Sequence, residues 1–314
     1  MNACRFAFAS SVLVFAACAG PRVGAHRERD VVHVTIAGER FASVHTAAEP
    51  RPYVFPLLGP GEVPMTRGYP IAPREGETKD HPHHVSLWFA HGAVDGTDFW
   101  HGTRRRERLV RIGEPEVEAR AQGVEVRCHY RWLVDDDAEL CREQRVLTFA
   151  DDAATGSRSI DIDITLRAVG AARRFGDTKE GTFAVRVHEA LRVEGASATG
   201  HLLDSEGRVD AAVWGKRARW IDDRGVVDGA PVGIALFDHP ANHAHPTWWH
   251  ARTYGLLAAN PFGVSDFEKK PKGTGDLVVP EGGELRLRYR VLLHGDGWDR
   301  ERLDAAWRAW AARP

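Results

Sequence analysis

The chain has 314 residues, 43% of them hydrophobic and 27% charged, which is enough apolar material for one large packed domain. A formal net charge of −2 offers no overall cationic field of the kind that holds nucleic acid or an anionic membrane. The 16 histidines and 10 tryptophans are the compositional signal, since both residue types suit polar, aromatic-lined sites.

In chain order, Arg5 followed by the apolar run Phe6–Ala19 reads as a signal peptide, too short for a comfortable membrane span. Two processing sites compete: a cut before His26 after Val23-Gly24-Ala25, or a lipoprotein box ending in Cys18, which would add a lipid anchor. Either way the expectation is an exported protein of the periplasm, outer envelope or secreted space. Residues 1–25 form the leader, and residues 26–314 form a single domain without a further transmembrane span. Residues 22–30 read as a polar tether.

Strands follow. Val31–Ile36 is β-branched, and residues 50–80 form a long Gly- and Pro-rich irregular segment. In residues 124–134, Val124, Val126, Cys128, Tyr130 and Trp132 alternate with polar neighbours; Ile160, Ile162, Ile164 and Leu166 repeat the pattern. Period-two alternation predicts half-buried strands. Further strands are expected at residues 182–188, 211–220, 232–237, 254–259 and 284–293, separated by Gly- and Asp-rich turns. Leu303, Trp307 and Trp310 share one helical face, so a helix over 299–312, capped near Asp296, is expected to seal one end of the fold. The fold class is all-β: a large antiparallel β-sandwich, supersandwich or jelly-roll-like, with a C-terminal helix. Cys128 and Cys141 fall on neighbouring strands joined by the turn Asp135-Asp136-Asp137, and are either a cross-strand disulfide or a free buried pair.

Two segments concentrate site-type residues. The first holds Asp80, His81, His83, His84, Trp88, His91, Asp98, Trp100 and His101. The second holds Asp238, His239, Asn242, His243, His245, Trp248, Trp249, His250, Arg252 and Asn260. Imidazole beside carboxylate supports acid–base chemistry near neutral pH, so His83, His84 and His250 are candidate catalytic groups, oriented by Asp80 and Asp98. Indole planes suit the apolar faces of sugar rings, so Trp88, Trp100 and Trp249 with Arg67, Arg252 and Asn260 are candidate substrate contacts. His-x-His spacing in extended chain also allows a divalent metal on His81 and His83, with the same spacing at His243 and His245, and His91 or His250 could complete the set. Glu180 and Glu189 read as solvated strand ends. No phosphate-binding glycine loop and no Gly-x-Ser-x-Gly elbow is present.

Several runs together resemble the family labelled methane oxygenase PmoA-like: Arg51–Leu57, Thr66–Pro70, Asp80–Trp88, Asp98–Trp100, Lys179–Gly181, Trp214–Ala218, Asp238–Pro240, Trp249–Arg252 and Tyr254–Leu256. The resemblance implies an exported bacterial β-protein associated with sugar-handling enzymes, and its label implies a metal-dependent oxygenase. The residues themselves favour an exported carbohydrate-active enzyme that hydrolyses, eliminates or epimerises a sugar or modified sugar. The alternative is a non-catalytic carbohydrate-binding or envelope scaffold protein. The partner in the enzyme reading is a small molecule or glycan.

Overall fold

A computed structural model describes residues 22–102, 106–135 and 137–313. Residues 1–21, which hold the expected signal-peptide run with Cys4 and Cys18, and residue Asp136 lie outside the described residues. In chain order the strands are β1 (Val23–Glu28), β2 (Val31–Ile36), β3 (Glu39–His45), β4 (Tyr53–Leu57), β5 (Leu87–His91), β6 (Arg108–Arg120), β7 (Gly123–Val134), β8 (Ala138–Asp152), β9 (Ser157–Ala168) and β10 (Arg173–Phe175). They continue as β11 (Gly181–Arg186), β12 (His201–Asp204), β13 (Lys216–Arg217), β14 (Trp220–Val227), β15 (Ala230–Asp238), β16 (Trp248–Trp249), β17 (Leu256–Asn260), β18 (Leu277–Val279) and β19 (Glu284–His294). Two helices, α1 (Val264–Glu268) and α2 (Arg300–Ala311), complete the described elements beside short 3-10 turns.

The strands form a nine-stranded antiparallel sheet, ordered β1-β2-β3-β4-β5-β11-β17-β16-β13, an eight-stranded one, ordered β12-β14-β15-β19-β9-β8-β7-β6, and a two-stranded one, β10-β18. Alternate residues of each sheet meet in one core: Val44, Phe89 and Phe183 of the first pack with Val126, Ile162 and Ile164 of the second. The fold is therefore the expected β-sandwich, and the period-two strands bury the faces predicted for them.

Three local expectations are corrected and one open choice is resolved. Residues 23–28 are not a tether but strand β1, paired residue for residue with β2. Helix α2 starts from Asp299, whose side chain accepts from Arg302 N, not from Asp296. It does not seal an end: Leu303 and Trp310 pack with Trp220, Phe237 and Leu292 on the outer face of the eight-stranded sheet. Cys128 and Cys141 are free and buried, because the β7–β8 register sets Cys128 opposite Arg145 and Cys141 opposite Trp132.

The other consequence of the pleat is on the outer face of the nine-stranded sheet. Phe89 and Phe183 point inward, so Trp88, Ala184, Arg186 and Ala258 point out, on three adjacent strands paired through Ala184↔Trp88 and Ala184↔Ala258. Loops carrying residues 66–84, 98–101, 177–180 and 252–255 gather over this face.

Candidate functional site

The floor of the site is a buried charge cluster. Arg186 projects from β11 and Arg67 from the loop after β4, both fully buried. Both guanidiniums donate to Oδ1 of Asp80, Arg186 at 2.8 Å. Arg67 also donates to the carbonyls of Thr78, Asp80 and His81, so it fixes the loop that delivers the histidines. His81 Nδ1 lies 3.0 Å from the other Asp80 oxygen. Burial alone would raise Asp80; the charge of Arg186 and the hydrogen bonds from Arg67, His81 and Arg186 outweigh it and carry the carboxyl from 3.8 to about 2. The loop turns through positive φ at His81 (42°) and Ser86 (59°), conformations that need support from such anchoring.

Above this floor the imidazoles pack on one another. His81 stacks on His84 at 4.8 Å and on Tyr254 at 5.1 Å; His83 meets His84 edge-on at 4.4 Å and His101 at 4.3 Å. Arg51, also buried, ties the two histidine loops together by donating to the carbonyls of His83 (3.0 Å) and His101 (2.8 Å). His84 is closed in between Trp88, at 5.3 Å, and Arg186. The opposite wall comes from the second segment: Arg186 lies over the Tyr254 ring at 4.8 Å, and Arg252 covers Tyr254 and Trp214. The two histidine segments do meet, through His81 and Tyr254.

The neighbouring imidazoles of His83 and His101 are electrostatically opposed. Burial first, then the charges of His101, Arg51 and His81, hold His83 down at about 3. His101 is raised above 6.5, chiefly because its Nδ1 donates to Asp98 Oδ2 at 2.6 Å. His101 keeps half of its side-chain surface exposed, so its other ring nitrogen can meet a ligand. Glu180, just before β11, stands within reach of His101, Tyr254 and His250, and its charge raises the proton affinity of all three. Gly92 permits this placement: its amide donates to Glu180 O at 2.7 Å, and a Cβ there would sit 2.8 Å from that oxygen.

The structure redistributes the sequence-predicted roles. His83 reaches the cleft, whereas His84 is 1% exposed and packed behind it. His250 is buried beyond Glu180; its Nδ1 donates to Lys179 O at 2.9 Å, and burial lowers it to about 4. Asp98 orients His101, and Asp80 orients His81 and the two arginines. Arg67 is a loop anchor with no surface for a ligand. Trp88 and Trp100 are buried behind His84, and Trp249 faces the core, so none of the three is an open stacking plane. Asn260 is spent on local bonds, donating to Thr178 O and accepting from Phe262 N. Arg252 remains at the cleft. The metal set separates: His91 lies on the opposite face of β5 from Trp88, donates from Nε2 to Gly176 O (2.9 Å) and packs on Phe262. His243 and His245 also diverge, to Phe262 and to Asp238 with Trp307. Among the described residues no three His, Cys, Asp or Glu side chains assemble as metal ligands.

Sequence reasoning missed Arg51, Arg186 and Glu180. Arg186 sits in the strand expected over residues 182–188, where nothing in the local pattern signals a site, and Glu180 reads as a solvated strand end. Only the Lys179–Gly181 motif marked that position.

No curated protein matches the chain. Among solved structures, a galactose mutarotase-like protein from Lactobacillus casei is 11% identical, covering 87% of this chain and 100% of that one, with a TM-score of 0.35. A galactose mutarotase related enzyme from Lactobacillus acidophilus is 10% identical over 88% and 99% of the two chains, with a TM-score of 0.26. The resemblance to the PmoA-like family is overturned by the family comparison, which returns a different assignment: over residues 31–308 the chain belongs to DUF6807, a family of unknown function.

Proposed function

We propose that this protein is a carbohydrate-active enzyme in which His101, oriented by Asp98, transfers the proton. The observation that carries the reading is the hydrogen bond of His101 Nδ1 to Asp98 Oδ2 at 2.6 Å, beside the His83 imidazole 4.3 Å away, a geometry that pushes the proton affinities of the two rings apart. Pairs of titratable groups pushed apart by their surroundings mark acid–base assignments. Asp98 holds the Nδ1 proton of His101 and stabilises the imidazolium, which frees Nε2 to take a proton from a sugar hydroxyl or from carbon beside a carbonyl. His83 stays neutral at physiological pH, so it hydrogen-bonds substrate without competing for that proton. Glu180 accepts hydroxyl hydrogen bonds. Hydrolysis, elimination and epimerisation all use such a pair.

The test is a screen of the purified protein against reducing sugars, glycosides and 3-keto-glycosides, followed by His101→Gln on whichever turns over. The expected loss in kcat is roughly 100-fold or more with binding retained. Binding without turnover of any sugar would favour the non-catalytic glycan-binding alternative, and neither binding nor turnover would end the carbohydrate reading.

Export belongs to the same proposal. A cut before His26 would remove the first three residues of β1, whereas processing at Cys18 would leave the strand whole, which favours the lipid-anchored form.

A further inference from the structure

A second pocket opens on the outer face of the eight-stranded sheet, on the opposite side of the sandwich from the histidine cleft. The register builds its floor. Glu125, Thr148, Asp161 and Arg290 stand side by side on β7, β8, β9 and β19, and Val146, Asp163 and Arg288 form the adjacent row. The pleat turns the residues between them, Leu147, Ile162 and Tyr289, into the core, so both rows face outward. His239 and the last turn of α2 supply the wall, where the imidazole meets the Trp310 ring edge-on at 5.1 Å. The cavity measures about 210 Å³, room for about seven water molecules at roughly 30 Å³ each, which is the scale of one small polar molecule.

Two donors lining this pocket lack acceptors. His239 is 5% exposed, and its Nδ1 accepts from Ala241 N at 3.1 Å, so the neutral ring carries its proton on Nε2. That Nε2 is buried and makes no hydrogen bond; the Arg313 carbonyl is the backbone acceptor that bears on it, from beyond hydrogen-bond distance. Burial first, then the charge of Arg288, lowers His239 to about 4, so the ring is neutral at pH 7. Arg288 has no ion-pair partner among the described residues: Asp163 stands opposite it, but that carboxylate is held by Arg286 at 2.9 Å.

The acceptors of the floor are already charge-balanced. Arg290 donates to Asp161 at 2.7 Å, Arg286 holds Asp163, and Arg120 and Arg127 hold Glu125. Each carboxylate has more lone-pair sites than these bonds use. A ligand ammonium would therefore meet no net negative charge, and an anion would meet three carboxylates. A neutral molecule with adjacent hydroxyls, each able to donate and accept, satisfies Arg288, His239 and the aspartates together.

We infer that this pocket is a second, non-catalytic binding site for a single neutral sugar unit. It is independent of the chemistry assigned to His101, because it lies on the other sheet.

The test titrates the full chain with D-glucose, D-galactose and D-mannose by ligand-observed NMR, with glycine and inorganic phosphate as zwitterionic and anionic probes. At least one sugar should bind. Two variants should each weaken that binding by about tenfold or more without lowering the melting temperature: Arg288→Ala, which removes the free guanidinium, and Thr148→Trp, which fills the cavity from its floor. Where one of them fails to fold, the other decides. Sugar binding retained by the folded variants would assign the ligand to the cleft and overturn the inference, as would absence of binding to all three sugars. Binding of glycine or phosphate without any sugar would overturn the neutral ligand class.

Discussion

Asp80→Ala is the substitution that asks most of the site. The carboxylate is held from 3.8 down to about 2, which favours its charged form by about 2.4 kcal/mol at roughly 1.36 kcal/mol per tenfold change in proton affinity. The side chain is 38% exposed, so solvent screening leaves about 1 kcal/mol of that. The arginines decide the rest. Without the carboxylate, Arg67 retains its three carbonyl partners, but Arg186, wholly buried, retains only His84 at 3.3 Å. An unsatisfied buried donor adds about 1–3 kcal/mol. The variant should therefore be less stable by about 2–4 kcal/mol at pH 7, read by urea denaturation. Because the folded-state value is depressed, the carboxylate's contribution is present above pH 4 and is lost as pH falls through about 2. The two proteins should converge towards the acid end. A difference below about 0.5 kcal/mol at pH 7 would refute the claim that Asp80 compensates two buried guanidiniums.

Asp223 gives the opposite case. It is 1% exposed between Leu202 and Ile234, neither carboxylate oxygen has a protein partner, and burial, with Asp222 and Asp210, raises it well above 3.8. Asp223→Val should stabilise by about 1–3 kcal/mol. A raised acid loses its stability contribution as pH rises above its ordinary value, so the gain should be larger at pH 7 than at pH 4; a variant that melts lower at both would contradict this. Asp98→Asn should lower the proton affinity of His101 and move the limb of the rate–pH profile that reports it to lower pH. His101 is raised in the folded state, so its stabilisation is present below about 6.5 and fades as pH climbs past its folded value. Melting curves should then differ at pH 5 and coincide near pH 9, by less than about 1 kcal/mol for so exposed a pair; an unmoved pH profile would argue against His101 as the titrating group.

Particular residues show how far the sequence carried. Alternation over 124–134 and 160–166 determined which faces are buried, because the pleat has period two whatever the tertiary setting. The spacing of Leu303, Trp307 and Trp310 determined a helix for the same kind of local reason. The dense histidine segments named two stretches that the fold brings together through His81 and Tyr254. Burial depth was not local. Trp88 and Trp100 look alike to His101 and His83 in sequence, and only the stacking of loops over the sheet put the indoles behind and the imidazoles in front. Glu143 and Arg145 occupy inward positions of β8 as a paired charge, with Glu143 also accepting from Trp132 Nε1, a placement no hydrophobic pattern signals. Arg186 and Glu180 acquired their roles from strands far apart in the chain. The identity of a residue and its pleat face are set within a few neighbours, but its charge state, exposure and partners are properties of what the rest of the chain packs against it.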